Sequence, residues 1–427
     1  MSIRRFLYTS LLLFIVPLMV LRLLWRSRQA PVHRQRIQER FGFYPVPNIP
    51  IRLWIHAVSV GEVIAAKNLV ELLLQQYGDS SIVISTITAT GAETVQRLFG
   101  DRVQHRYFPY DLPLLIDLSL SRVKPELFVV IETEIWPNFW HGCAKRSIPI
   151  ILANARLSER ATQRYLRLKG LVAETLSYAT LLACRNKVDA DNFSLLAAPS
   201  QSIEIIGDIK LDLYIDEKYK KIASEFRCEW GQRMVLVAAS THEGEDEILL
   251  DIYAQLKSIY RDLLLIIIPR HPERFDHVYT LIEQTGFHVQ RRSIAQHFHT
   301  NTDIILGDTM GEMFAWYLSA DLVFMGGSLV ATGGHNPLEP AYCAKAVLSG
   351  TFIFNFTMAY NLLQQVDAAV VAECNENVLQ HIQQMLADKQ ALSAMGERGH
   401  QVIEQHKGAT ARLIARINAI AIQLDNK

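Results

Sequence analysis

From residue 52 onward the chain repeats one pattern: a short apolar run, a loop of small or polar residues, then apolar positions at helical spacing. Residues 52–57 (RLWIHA), 82–85 (IVIS), 128–131, 149–152, 181–184 (LLAC) and 203–206 (IEII) have the length and composition of buried strands. Val63, Ala66, Leu69, Leu72 and Leu73 follow the first run as one face of a helix. A second series starts at 234–239 (MVLVAA) and continues at 266–268, 303–306 (DIIL) and 321–325 (DLVFM). Strand and helix alternate about every 20–30 residues, which predicts α/β architecture with doubly wound parallel sheets. The polar stretch 207–221 separates the two series and reads as a domain junction.

The two ends of the chain depart from this pattern. Residues 6–21 are apolar with one proline, Pro17, and Arg22 closes them. Counted through Trp25, the segment is near the lower limit for a spanning helix. A cleaved signal peptide would need a small-residue cleavage site, and a buried core helix sits awkwardly before Arg26, Arg28, Arg34 and Arg36. A membrane anchor fits best. The arginines after residue 21, against Arg4 and Arg5 before it, place the body on the cytoplasmic side. Residues 35–41 (QRIQERF) suit either a basic helix on anionic head groups or a plain solvated helix. At the other end Leu413, Ile414, Ile417, Ile420, Ala421 and Leu424 form one amphipathic helix.

At 427 residues the chain has room for two domains with full cores. Lysines plus arginines and aspartates plus glutamates number 43 each, and no strongly basic domain stands out, so nucleic acid is not an expected partner. The cysteines (Cys143, Cys184, Cys228, Cys343, Cys374) are dispersed and form no CxxC, which argues against a disulfide framework or zinc site.

Candidate chemistry lies where strands end. Residues 326–340 (GGSLVATGGHNPLEP) hold two glycine pairs, then Asn336 as a cap, Pro337 at the first helical position, Leu338, and Glu339 placed to bond back to the cap. Such a strand–loop–helix start presents backbone N–H groups to an anion; a tight turn with a good cap reads the same way. The construction recurs at Gly307–Glu312, with Thr309 as cap ahead of Met310, Gly311 and Glu312. Pro269 and Arg270 end a third strand, and Arg270 suits a bidentate phosphate contact. In the first half Ser59, Gly61 and Glu62 open a helix as an S-x-x-E capping box, and Glu132 and Glu134 follow a strand. Lys210 lies in the junction. Asp189-Ala190-Asp191 is a DxD at a helix start, where acids are favoured without a metal, and His242, His271 and His335 lack zinc spacing. GxGxxG, GxxxxGK[ST] and GxSxG are absent.

Eight stretches in order, WIHAVSVGE, ETEIWPN, NARLS, GDIKLD, STHEGED, PRHPERF, GDTMGE and GGHNPLEPA, resemble the 3-deoxy-D-manno-octulosonic acid (Kdo) transferases of lipopolysaccharide synthesis, over nearly the whole chain. One departure is Gly350-Thr351, where the family pattern has Gly-Pro ahead of Asn355-Phe356. The resemblance implies the GT-B architecture, two Rossmann-like domains facing a cleft. Residues 1–34 would be the anchor and basic stretch, 35–212 the acceptor domain, 213–405 the nucleotide-sugar domain, and 406–427 a helix returning to the first domain. It implies CMP-Kdo as donor, a lipid A precursor as acceptor, the inner membrane as site, no metal or cofactor, and inversion at the anomeric carbon. Glu62 becomes the general base, with Ser59, Gly61, Glu132, Glu134 and Lys210 in the cleft. Pro269, Arg270, Met310, Gly311, Glu312, Asn336, Pro337, Leu338 and Glu339 would hold CMP. Two alternatives stay open: another GT-B enzyme selective for UDP-sugars, or a membrane-tethered nucleotide-binding scaffold without turnover.

Overall fold

The computed structural model describes residues 2–26 and 36–425. Arg28, Arg34 and Gln35, counted above in the basic stretch and its helix, lie outside the described residues. The chain divides after Asp212 and after His406: Met1–Asp212 with Lys407–Lys427 form one unit and Leu213–His406 the other.

The first unit carries strands β1 (Leu53–His56), β2 (Ile82–Thr86), β3 (Gln104–Tyr107), β4 (Leu127–Ile131), β5 (Ile150–Ala155), β6 (Leu181–Cys184) and β7 (Ile203–Ile205). They form one parallel sheet in the order β3-β2-β1-β4-β5-β6-β7. Alternate residues serve opposite faces, as the pleat requires. Leu53 and Ile55 join one core with Leu127, Val129 and Ile131, while Trp54 joins another with Phe128 and Val130. The inner strands β1, β2, β4, β5 and β6 are buried on both faces, which is why they are mostly apolar rather than alternating, whereas the edge strands β3 and β7 are partly exposed.

The second unit carries β8 (Val235–Thr241), β9 (Leu264–Pro269), β10 (Val289–Arg291), β11 (Ile304–Leu306), β12 (Leu322–Met325), β13 (Ala346–Ser349) and β14 (Ala369–Val371). Their order is β10-β11-β9-β8-β12-β13-β14, again all parallel. Thr351, where a proline was expected, puts its hydroxyl 3.1 Å from the carbonyls of both Ala372 and Glu373, so hydrogen bonds replace the ring at that turn.

Helix boundaries differ from expectation in several places. The first predicted helix breaks at Ala66 into Val60–Ala65 and Lys67–Tyr77; Val70 and Leu74 are buried with Leu69 and Leu73, and Leu72 turns to solvent. Residues 37–41 do not form a lipid-facing helix. Ile37–Phe41 is a short 3-10 turn whose Glu39 and Arg40 are buried. Glu39 accepts from the Tyr107 N–H at 2.9 Å, and the Arg40 guanidinium lies 4.4 Å from the centre of the Tyr107 ring. Charges in local sequence read as solvated; here they are matched by partners tens of residues away.

Helix Ala409–Asp425 buries Leu413, Ile417 and Ile420 against the first sheet. Its start is capped across the chain: Asp212 accepts from the Gly408 N–H at 2.6 Å and from the Thr410 N–H. Arg412 donates to the Ile206 carbonyl at 2.8 Å. Losing such a cap removes roughly 0.5–2 kcal/mol. Asp212→Ala is therefore expected to lower the unfolding free energy of the first unit by that order, read as a lower urea midpoint at unchanged slope. An unchanged midpoint would show that the helix holds by apolar contact alone.

Candidate active site

In a parallel sheet whose order reverses beside its first strand, the crevice beyond the carboxyl ends at that reversal is the natural ligand site. In the first unit the reversal lies at β1, between β2 and β4. Glu62 stands on the helix that follows β1, and Glu132 and Glu134 come directly after β4. A cavity of about 300 Å³ there is lined by Glu62, Glu132, Thr133, Glu134, Arg156 and Tyr165.

Glu132 has left-handed backbone, φ 63°, and so does Asn154, φ 54°, at the end of β5. Non-glycine residues held this way at strand ends are strained positions that a surrounding structure must over-determine. Here it does. The Glu132 N–H donates to Ala153 O at 2.9 Å, and Asn154 Oδ1 accepts from the Ile209 N–H at 3.0 Å. Those contacts draw in the junction, so that Lys210 Nζ meets Glu132 Oε1 at 2.5 Å.

Glu62 is not the expected capping box. The Ser59 side chain caps no backbone N–H; Glu62 accepts from the Val58 N–H, one residue ahead of the cap, and Ser59 Oγ is 3.5 Å from its other oxygen. Burial pushes the Glu62 carboxyl up to about 7, with the Glu132 charge adding to the rise and the Val58 N–H and Lys210 opposing it. Glu134 is likewise pushed up to about 7, by burial first and then by the neighbouring Glu62. Both carboxyls are thus raised towards neutrality, chiefly by burial, and the charges of the cluster add to the rise. A site of this kind can accept a proton from a substrate hydroxyl. Gly61 has open space around it.

The second unit has its reversal at β8, beside β12. The first glycine pair does not offer its amides to a ligand. Glu245, fully buried, accepts from the N–H groups of Gly327, Ser328 and Leu329 at 2.6, 2.9 and 2.8 Å, and from that of His242 at 2.8 Å. The chain's own carboxylate fills that loop. Sequence reading missed Glu245 because three of its four N–H partners lie more than eighty residues away; the GED of STHEGED was the local sign.

Other capping expectations shift as well. The helix after the second glycine pair is Leu338–Tyr342, and Pro337 occupies the cap. Asn336 Oδ1 still accepts from the Leu338 N–H at 3.2 Å, but Glu339 faces the Asn336 side-chain amide at 3.4 Å instead of bonding back to the backbone. Met310–Glu312 precede the helix Met313–Ser319 rather than start it, with Gly311 at φ +87°. Arg292 holds Glu312 through two contacts of 2.9 and 3.1 Å, and Thr309 donates to it as well. The cause is side-chain competition: the Thr309–Glu312 bond ties up the groups that would have capped.

A cluster of cationic and imidazole groups converges beside these loops. His242 and His335 stack and share a hydrogen bond of 2.9 Å between their Nε2 atoms. Burial lowers His335 to about 4, helped by His242 and Arg270. Arg270 is exposed after the buried Pro269, and its charge also reaches Glu339, whose carboxyl burial pushes up. Met310 is exposed at the same carboxyl edge. Asp189 is taken up by Arg185 at 2.9 Å and by the Leu157 N–H, and Asp191 by Lys187 at 2.5 Å, so the DxD is a structural pair. Among the described residues no group of three or more His, Cys, Asp or Glu is placed to hold a metal ion.

A group whose folded pKa is raised favours folding below its unfolded value and loses that contribution as pH rises through the folded one. For Glu62 the window runs from about 4.5 to about 7. Glu62→Gln should therefore resist urea better than the parent protein at pH 8, with the gap closing towards pH 4.5. A gap independent of pH would show that the carboxyl is not desolvated.

A family model described as 3-Deoxy-D-manno-octulosonic-acid transferase (kdotransferase) matches residues 35–213. A 3-deoxy-D-manno-octulosonic acid transferase of Haemophilus influenzae is 40% identical over 414 residues, covering 96% of this chain and 97% of that protein. One from Bordetella pertussis is 31% identical over 423 residues, covering 95% and 97%. Among solved structures, UDP-GlcNAc 2-epimerase from Neisseria meningitidis bound to UDP-GlcNAc gives a TM-score of 0.57 over 86% of this chain and 100% of that one. At 14% identity that likeness speaks for the fold alone.

Proposed function

The chain belongs to the 3-deoxy-D-manno-octulosonic acid transferase family, a family of glycosyltransferases; we propose that it moves Kdo from CMP-Kdo to a lipid A precursor, lipid IVA, with inversion and with Glu62 as base. The observation that carries this reading is the Glu62 carboxyl, held near 7 by burial in a cavity at the carboxyl edge of the first sheet. A base must be near neutrality to take a proton from a hydroxyl without being permanently protonated.

In the proposed reaction the acceptor hydroxyl oxygen attacks the anomeric carbon of Kdo. Its proton passes to Glu62. The bond from that carbon to the phosphate oxygen breaks, and its electron pair leaves with CMP. Lys210 pairs with Glu132 beside the base, and Glu62 and Glu132 both add to the rise of Glu134, so a proton gained by Glu62 relieves repulsion already present. CMP is assigned to Pro269, Arg270, Met310, Gly311, Glu312 and Asn336–Glu339, with Arg270 meeting the phosphate. Glu339, placed beside Arg270, is assigned to the ribose. No metal or other cofactor takes part in this proposal, since CMP-Kdo is itself a substrate. The first helix, Ile3–Arg26, whose most apolar 18-residue stretch has mean hydropathy 2.2 and is little buried, is assigned to the cytoplasmic face of the inner membrane, where the acceptor lipid resides.

The test is CMP release from CMP-Kdo by the detergent-solubilised protein, with and without acceptor. Glu62→Gln should lower acceptor-dependent release by about 10²–10⁴-fold while CMP binding persists. In the parent protein release should fall as pH drops through about 7, where the base protonates. Loss in Glu134→Gln alone would move the base to that residue. Release should be indifferent to EDTA, and CMP should raise Tm more than UDP. The reverse nucleotide preference would overturn the donor assignment.

A further inference from the structure

The first helix, Ile3–Arg26, is tied to the folded body by its N-terminal turns. Arg5 is buried; it donates to Tyr178 Oη at 3.4 Å and pairs with Glu174 at 3.7 Å. Ser2 Oγ donates to Glu174 as well. Tyr8 Oη donates to Asp111 at 2.9 Å, and Thr9 and Asn138 exchange hydrogen bonds of 2.9 and 3.2 Å. The Arg4 guanidinium lies so close over Gly170 that a Cβ there would come within 2.3 Å of it. These partners are not surface accidents. Asp111 is itself buried and accepts the N–H groups of Asn138 and Phe139 at 3.1 and 2.8 Å, at the start of the helix Pro137–Lys145.

We propose that this helix does not cross the bilayer but lies along its surface, between head groups and acyl chains, with both ends on the side of the body. The inference rests on the membrane reading above and deepens it. Three observations carry it. The docked end holds Arg4 and Arg5, and placing it on the far side would strip Glu174 of Arg5 and Asp111 of Tyr8. Beyond Thr9, the residues up to Arg26 reach only about 25 Å as a helix, short of the roughly 30 Å hydrocarbon core, and Arg22 shortens the uncharged part further. Near its docked end the helix has one covered side: Arg5 and Val16 are buried and Tyr8, Thr9 and Leu12 half-buried, while Leu7, Leu11, Phe14 and Leu18 on the opposite side are exposed, Phe14 at 77%. A side that rests against the body is not open to lipid, as it would be in a spanning helix. Leu114 and Leu168, exposed at 82% and 60%, lie three and two residues along the chain from Asp111 and Gly170. The occupant of this surface is one leaflet of phospholipid.

The experiment places a short protease-cleavable extension before Met1 of the full chain and reconstitutes it in sealed phosphatidylethanolamine–phosphatidylglycerol vesicles. Outward-facing bodies are identified by a membrane-impermeant maleimide on the exposed Cys228 and Cys374. Protease added outside is expected to remove the extension from every chain whose cysteines label, without detergent. An extension protected until detergent is added would mean a spanning helix and overturn the inference, leaving the membrane assignment intact. A chain that does not float with the vesicles would overturn both, and the CMP-release assay in detergent would still stand apart.

Discussion

The structure depends on one constraint: both sheets are parallel and covered on both faces. A strand in that setting has its backbone hydrogen-bonded to its neighbours and its side chains in apolar cores, so it has no room for polar chemistry along its length. Polar groups can gather only where the strands end. In the first unit that place collects Glu62, Glu132, Glu134 and Lys210; in the second it collects His242, Arg270, His335 and Glu339. The twofold use of one arrangement is a consequence of sheet topology, because each order reverses beside its first strand.

Within the first unit the arrangement sets carboxylates against each other in a poorly solvated cavity. Only Glu132 has a full cationic partner, in Lys210. The remaining two, Glu62 and Glu134, carry the burden of burial and of mutual repulsion, and both titrate near neutrality. The strained backbone at Glu132 and Asn154 supplies the geometry, and the junction residues Ile209 and Lys210 hold it in place. Burial at this edge leaves two carboxyls protonatable near neutrality, where ordinary glutamates are ionised.

The second unit solves a different problem with the same materials. A glycine loop after a central strand leaves several N–H groups pointing one way, and an anion must satisfy them. Glu245 does so from within the chain, which makes the Gly326–Leu329 loop a rigid frame rather than a cradle. Asp246 repeats the device on a smaller scale, accepting from Thr241 at 2.6 Å and pairing with Arg274. Arg270 stands beyond this frame, exposed.

The sequence by itself determined the α/β class, most of the central strands and the amphipathic last helix, because apolar runs and helical spacing are local properties that burial on both faces of a sheet imposes directly; β3, β10, β13 and β14 went unread. It also marked the strand-end motifs, Glu62, Glu132, Glu134 and Arg270 among them, since small and polar residues after an apolar run announce a carboxyl edge. Tertiary structure alone decided which of those groups are already spoken for. Glu245 occupies the amides of Gly327–Leu329, Arg292 captures Glu312, and Glu39 and Arg40 go inward to Tyr107. It likewise decided that Tyr8 meets Asp111 and that Asp212 caps a helix near the far end of the chain. In each case the reason is the same: a polar group's role depends on the partner that burial brings to it, and such partners are distant in sequence.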